Sequence, residues 1–168
     1  AAQHPGGGRI TVAAGITPSG VVHVGNFLVV MTVDLVYRAL RDRGAEVRFI
    51  YSWDDFDVFR KVPQGMPQPD MLKDNLGRSI ADVPDPYGQA DSYASHNIAE
   101  FEDSLVPLGI APEFIRQSRR YRAGAYAEGI RKALQHTAKI REILNRARGE
   151  ATATSLVKDD GLPRYGFC

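Results

Sequence analysis

The pattern that most constrains the fold lies in residues 9–53, where two short strand patterns flank one long helix pattern. Alternation of side-chain character over 9–14 and again over 46–53 predicts two strands. The residues between them, 24–43, are largely apolar over a length typical of a helix, and Gly44 follows as a helix-ending signal. The sequence therefore predicts a strand-helix-strand unit. If its strands are parallel neighbours, ligands should bind at their carboxyl ends.

The rest of the chain adds helices and a third short strand to this unit. Five prolines between residues 60 and 92 predict an irregular insertion with one short helix near 70–76. Helical spacing predicts a helix that stops at Gly109, followed by a short strand at 113–117. A long helix or helix pair is predicted to end near Arg148. These elements indicate the α/β class.

Length and composition fit one domain, which we expect to span residues 9–148 between a flexible leader at 1–8 and a loose tail at 149–168. The apolar run at 27–31 is far shorter than the roughly 20 residues that span a bilayer. The single cysteine, Cys168, excludes an intrachain disulfide and a multi-cysteine zinc site. We expect a soluble, cytoplasmic protein without a membrane partner.

The densest chemical pattern is residues 15–26, which read GITPSGVVHVGN and fall between the first strand and the long helix. Backbone N–H groups at a helix start, with the positive end of the helix dipole, favour a phosphate. Gly25 lets a base or ribose lie close to the backbone, while His23 and Asn26 place donors on the same turn. The stretch suits a nucleoside triphosphate, although a lone histidine at a helix start is often a simple cap or packing residue.

This stretch resembles the HIGH signature of class I aminoacyl-tRNA synthetases, written here at 23–26 as HVGN. YSWDDFD at 51–57, PDPYG at 84–88 and residues 121–144 resemble the class I type of lysyl-tRNA synthetase, in the same order. The resemblance covers residues 10–148. It implies the first half of a Rossmann-like nucleotide-binding domain with parallel strands and flanking helices.

What the resemblance implies is activation of lysine by ATP, with Mg²⁺ accompanying the nucleotide, and then transfer of lysine to tRNA(Lys). Catalysis of this kind consists mainly of positioning and charge stabilisation. His23 and Asn26 are expected to be catalytic, and Gly15 and Thr17 to bind lysine. The residues expected to bind ATP are Ser19, Gly20, His23, Gly25 and Asn26.

Three carboxylates follow the second strand at the edge where a site is expected, and Asp54 and Asp55 are the better candidates among them. They are candidates to hydrogen-bond ribose hydroxyls or to attract a cationic substrate. Capping of a following turn is an equally good interpretation of either one.

Members of the resembled family can carry zinc near the PDPYG segment, through an aspartate, a cysteine and two histidines. The matching positions here are Asp85, Gln89, Ala90 and His96. Two ligands cannot close a structural tetrahedral site. The sequence therefore predicts no structural zinc, and an ordinary polar or helix-start role for His96.

Nothing in these residues resembles the KMSKS loop or the anticodon-binding region of the family. We therefore expect a fragment, a trimmed form or a degenerated paralogue, slow in catalysis by itself, and a partner chain that supplies the missing half is one option. Two alternatives stay open: a noncatalytic nucleotide-binding or interaction paralogue, and a nucleotidyltransferase that acts on a small metabolite.

Residues 119–148 carry nine Lys and Arg side chains against Glu128 and Glu142, although the formal net charge of the chain is only +1. This excess predicts either a solvated helix face or a surface that contacts tRNA phosphates.

Overall fold

The computed structural model describes residues 8–148. The chain divides into two compact units, the first ending at Arg119 and the second beginning at Arg120. The predicted leader, apart from Gly8, and the predicted tail lie outside the described residues.

The predicted strands, long helix, insertion helix and helix pair are confirmed, with small shifts at their ends. One helix was not predicted, because the third strand runs directly into it at Gln117. Short 3-10 turns lie at Ile80–Asp82 and Val106–Leu108. The strands are β1 (Ile10–Ile16), β2 (Val47–Trp53) and β3 (Glu113–Arg116), and the helices are α1 (Val24–Asp42), α2 (Pro69–Asp74), α3 (Tyr93–Leu105), α4 (Gln117–Arg122), α5 (Ala127–Gln135) and α6 (Thr137–Arg148).

The three strands form one parallel sheet in the order β1-β2-β3. Ile16 pairs with Trp53, and Trp53 pairs with Arg116, so all three strands end at the same edge. Helix α1 connects β1 to β2, and Gly44 adopts a φ of 78° just after it ends, which few residues other than glycine tolerate. The α/β fold with parallel strands and flanking helices is confirmed.

An aromatic core lies under one face of this sheet. Phe101 of α3 packs against Tyr51 and Trp53 of β2, with ring centroids 5.6 and 5.4 Å away. Phe27 of α1 meets the same Phe101 ring edge-on at 6.0 Å. Trp53 is completely buried and donates its indole N–H to Glu102 at 2.8 Å. Helices α1 and α3 therefore hold the sheet from the same side, and the strand ends are fixed by this packing.

In the second unit, the described apolar side chains are exposed or only partly buried. Among its described residues, 120–148, no hydrophobic side chain is buried, and Leu134 and Ile143 remain 62% and 52% exposed. The guanidinium of Arg120 lies over the Tyr126 ring, 5.8 Å from its centroid. Within residues 8–148, no helix is both long enough and apolar enough to cross a membrane.

Candidate functional site

The turn between β1 and α1 is anchored to the core. The Tyr93 hydroxyl of α3 donates to the Ser19 carbonyl at 2.9 Å. Pro18 is buried, whereas Ser19 is exposed. Burial raises the pKa of Tyr93 above its ordinary value, although its side-chain bond to Asn97 opposes this. Tyr93 therefore stays a protonated donor across the ordinary pH range and holds the turn in place.

His23 is the N-cap of α1. Its Nδ1 accepts the Gly25 N–H at 3.2 Å. In the neutral imidazole the proton must then sit on Nε2, because Nδ1 is occupied as an acceptor. The His23 side chain is exposed, so this Nε2–H is available to an incoming anion. His23 thus caps the helix, as one interpretation of the sequence predicted, and the cap leaves its Nε2–H able to act as a donor.

Gly25 has a local structural reason to lack a side chain. A Cβ at this position would lie 3.1 Å from Cε1 and 3.2 Å from Nδ1 of His23. Such contacts are tighter than ordinary packing, so an added Cβ would require the His23 ring to shift.

The expectation of free N–H groups at this helix start needs a correction. The Gly25 N–H is already bonded to the His23 ring, and the Asn26 N–H donates to the His23 carbonyl at 2.9 Å. Backbone donors in the first turn are therefore partly satisfied within the turn itself. Side-chain donors, above all the His23 Nε2–H, must carry more of any anion binding than the sequence predicted.

Two cavities divide the residues that the sequence assigned to one site. An open cavity of about 250 Å³ is lined by Thr17 and Ser19 together with residues 57–61 and Ile80. A second, of about 400 Å³, is lined by His23. The other residues that line the second cavity are Val21, Val22, Val24, Phe27, Glu100, Phe101 and Ser104.

The five residues expected to bind ATP therefore do not share one wall of either cavity. Ser19 lines the smaller cavity and His23 lines the larger one, while Gly20, Gly25 and Asn26 line neither.

Gly15, which the sequence assigned to lysine, lies inside β1 opposite Ser52. A Cβ on Gly15 would come within 2.6 Å of the Ser52 carbonyl oxygen. The glycine is therefore required for the close approach of the two strands. Its role in binding lysine stays a prediction.

Asp55 and Asp54 have opposite environments. Asp55 is buried, and its two carboxylate oxygens accept the backbone N–H and the hydroxyl of Ser118 at 2.8 and 2.6 Å. Arg116 lies 3.7 Å away. This carboxylate therefore caps α4, and a substrate would have to displace Ser118 to reach it.

Asp54 is the member of the pair that remains open to a ligand. Its side chain is exposed and accepts the Ser52 hydroxyl at 3.3 Å. Although the residue is exposed, desolvation by the protein on one side of its carboxylate raises the pKa of Asp54, and the neighbouring charges of Asp57 and Asp55 add to the rise against the opposing Ser52 bond. The carboxylates at this strand end thus form a locally negative patch.

Asp57 belongs to the same run of carboxylates, but the sequence favoured Asp54 and Asp55 over it. The Thr17 hydroxyl donates to Asp57 Oδ2 at 2.8 Å, which joins the ends of β1 and β2 across 40 residues of sequence. Arg60 and Lys61 line the same cavity. The available signal was weak: Asp57 is the third acid of the DDFD run, and the two cations follow it closely in the sequence.

The segment matched to the family's zinc site is held by hydrogen bonds. Asp85 Oδ2 accepts the N–H groups of Gln89 and Ala90 at 2.7 and 2.9 Å, and Oδ1 accepts that of Tyr87 at 3.1 Å. His96 Nδ1 lies 3.3 Å from Oδ2, and its ring stacks on Tyr87 at 4.4 Å. Burial opposes ionisation, but these donors outweigh it and hold the pKa of Asp85 below its usual value.

His96 lies in the first turn of α3, in agreement with the helix-start interpretation, and it is buried there. Across residues 8–148, no group of three or more His, Cys, Asp or Glu side chains is arranged to hold a metal ion. The absence of structural zinc stays a prediction.

The second unit presents exposed cations. Lys139 and Arg146 pair with Glu142 at 3.2 and 2.6 Å. Arg131, Lys132 and Arg141 are exposed, and none of them has an ion pair within the described residues. Their charge is therefore available to an external anion.

Comparison with known proteins gives one consistent result. The family model described as tRNA synthetases class I (K) matches residues 1–160. The lysine–tRNA ligase of Treponema pallidum is 52% identical over 142 residues, which is 84% of this chain. That of Borreliella burgdorferi is 51% identical over 158 residues, or 94% of the chain, and that of Pyrococcus horikoshii is 50% identical over 160 residues, or 95%.

These alignments cover only part of each relative. The chain spans 27% of the Treponema protein, 29% of the Borreliella protein and 30% of the Pyrococcus protein.

Proposed function

This chain belongs to the class I lysyl-tRNA synthetase family, and from that premise we propose that it carries ATP-dependent activation of lysine and the attachment of lysine to tRNA(Lys). The observation that carries the proposal is His23, whose Nδ1 is fixed by the Gly25 N–H so that the Nε2–H is left exposed at the start of α1. A donor held in this way needs no reorganisation when negative charge develops nearby.

The proposed reaction has two steps. A carboxylate oxygen of lysine attacks the α-phosphorus of ATP, the bond to the β-phosphate bridging oxygen breaks, and pyrophosphate leaves. A ribose hydroxyl of tRNA then attacks the acyl carbon, its proton is released to solvent, and AMP leaves with the electrons of the acyl–phosphate bond. No covalent enzyme nucleophile is needed, and Mg²⁺ enters with the nucleotide.

The chain's own residues position the two substrates and stabilise the negative charge on the phosphate. We place ATP along residues 19–26, with the His23 Nε2–H donating to a phosphate oxygen and the Asn26 amide on the same turn. Gly25 keeps the imidazole in its cap position. Lysine lies at the ends of β1 and β2, beside Thr17. Thr17 and Ser19 line the same cavity, so lysine and the start of the ATP segment are neighbours, which favours attack by the carboxylate.

Lysine-dependent exchange of labelled pyrophosphate into ATP tests the proposal. We expect the wild-type chain to catalyse exchange, and His23→Ala to slow it about a hundredfold to a thousandfold, because one preorganised donor is lost. His136→Ala is the matched control, since His136 is an exposed histidine in the other unit. Equal rates for wild type and His23→Ala would remove His23 from catalysis. No exchange by the wild type would favour the noncatalytic alternative.

For tRNA, we propose that Arg131, Lys132 and Arg141 contact phosphates. Neutralising all three to Gln should weaken binding and reduce the slope of log K against log salt by about one unit for each phosphate that the variant no longer neutralises. Filter binding over a salt series measures this. A variant that neutralises Arg43 and Lys73, two exposed cations of the first unit, is the control. If both variants behave alike, the cations of the second unit are only solvated.

A further inference from the structure

We propose that Asp57, Arg60 and Lys61 bind the charged α-amino-acid end of the substrate, with Asp57 taking the α-ammonium group and the two cations taking the carboxylate. The inference rests on the proposed function, because it identifies how the small cavity beside Thr17 receives its substrate. It adds three residues to the site at which the sequence placed Gly15 and Thr17.

The size of the cavity suits an amino acid. Its volume is about 250 Å³, and it is open to solvent at the carboxyl ends of β1 and β2. Pockets for drug-sized ligands occupy roughly 300 to 1,000 Å³. A nucleoside triphosphate would extend far beyond such a cavity, whereas the ammonium, carboxylate and first side-chain carbons of an amino acid fit within it.

Asp57 supplies the negative side of the cavity. Its Oδ2 accepts one hydrogen bond, from the Thr17 hydroxyl at 2.8 Å. A carboxylate offers about four acceptor positions, so this bond orients the group without exhausting it. The Asp57 side chain is exposed, and its backbone is fixed because its carbonyl accepts the Ile80 N–H at 2.9 Å. An ammonium group entering the cavity therefore meets a preoriented acceptor.

Arg60 and Lys61 supply the positive side. Both are exposed, and within residues 8–148 neither forms an ion pair. The preceding residue, Phe59, is buried and exchanges backbone hydrogen bonds with Arg78 and Gly77 at 2.8 and 2.9 Å. The two cations thus extend from a fixed segment.

One carboxylate and two cations on the same small cavity match a zwitterion better than a phosphate chain. A triphosphate would bring its negative charge against Asp57, whereas a zwitterion places each of its charges opposite an unlike charge. Fixing both ends of the amino-acid group also positions the carboxylate oxygen that attacks ATP.

Calorimetric titration with three probes separates the two contacts. L-lysine carries both groups, 6-aminohexanoate lacks the α-ammonium, and L-lysinamide lacks the carboxylate. We expect Asp57→Asn to weaken L-lysine and L-lysinamide about tenfold or more and to leave 6-aminohexanoate unchanged. Asn retains an acceptor for Thr17, so the fold is preserved.

The reciprocal result is expected for the cation. Lys61→Gln should weaken L-lysine and 6-aminohexanoate about tenfold and leave L-lysinamide unchanged, while Lys61→Arg should restore affinity for both carboxylates. Lys73→Gln is the matched control, since Lys73 is an exposed lysine outside this cavity that pairs with Asp70 at 2.8 Å. It should alter none of the three titrations.

ATP titration of the same variants separates failure of this inference from failure of the proposed function. ATP affinity should be unchanged in Asp57→Asn and Lys61→Gln. If the chain binds ATP but not L-lysine, or if these variants weaken ATP as much as lysine, the amino-acid assignment is wrong while the nucleotide site stands. If the wild type binds neither ligand, the inference and the proposed function both fail.

Discussion

The two units of this chain reach order by different means. In residues 8–119, the rings of Phe101, Tyr51 and Trp53 pack together under a parallel sheet, and the strand ends carry the candidate site. In residues 120–148, the described apolar side chains stay partly or fully exposed, and cations occupy the helix surfaces. The difference indicates that the first unit holds its site residues in fixed positions. The second unit offers exposed positive charge, which can attract an anion without being fixed in position.

The largest test of this contrast is the removal of one apolar side chain from each unit. Phe101→Ala should reduce the free energy of unfolding by about 3 to 5 kcal/mol, because it leaves a cavity against Tyr51 and Trp53. Leu134→Ala, at a site 62% exposed, should cost under about 1 kcal/mol. Urea unfolding measures the first through Trp53, the single tryptophan, and the second through far-ultraviolet circular dichroism. Similar losses would contradict the contrast.

A second comparison concerns carboxylates. Asp85→Asn should cost about 1 to 3 kcal/mol at neutral pH, because a buried ionised acceptor of three N–H groups is neutralised. Glu142→Gln, which removes exposed pairs with Lys139 and Arg146, should cost less than about 1 kcal/mol.

The stabilisation of the fold by Asp85 should decrease as the pH falls. Its folded-state pKa is lower than the ordinary value of 3.8, so its contribution is present above that pH and is lost as the pH falls through the folded pKa. Urea midpoints of wild type and Asp85→Asn, measured from neutral pH to well below pH 3.8, should therefore draw together only as the pH falls below 3.8. A constant difference over this range would show that ionisation of Asp85 does not stabilise the fold.

The smallest expected effect compares two helical glycines. Gly129→Ala in α5 should stabilise by about 0.5 to 1 kcal/mol, because nothing lies within 4 Å of the added methyl group. Gly25→Ala should give no such gain, since its methyl group would lie 3.1 Å from the His23 ring. Thermal unfolding measures both. An equal gain at the two positions would mean that His23 moves aside without cost.

Local sequence patterns were sufficient for most of the fold. Alternation located β1 and β2, apolar length and Gly44 located α1, and the prolines of 60–92 marked the irregular insertion. Helix α4 escaped prediction because it follows β3 without a turn and its cap comes from a distance, since Asp55 accepts the Ser118 N–H across 63 residues of sequence.

The candidate site was only partly predictable, because some of its contacts join residues that are far apart in the sequence. The turn at 15–26 was located correctly between β1 and α1, and the cap role of His23 was an open interpretation. The contact between Thr17 and Asp57 depends on the register of two strands, which no local pattern specifies. Asp55 and Asp57 are two residues apart, yet only the folded chain shows that one is buried and the other lines the cavity.

The most direct measurement is the affinity for ATP of the wild-type chain, Gly25→Leu and Gly129→Leu, by isothermal titration. The account predicts that the wild type and Gly129→Leu bind ATP equally, whereas Gly25→Leu binds about tenfold more weakly or worse, because its side chain displaces the His23 donor and occupies the space beside the turn. Equal affinity for Gly25→Leu and the wild type, or no ATP binding by the wild type, would contradict a nucleotide site at the start of α1.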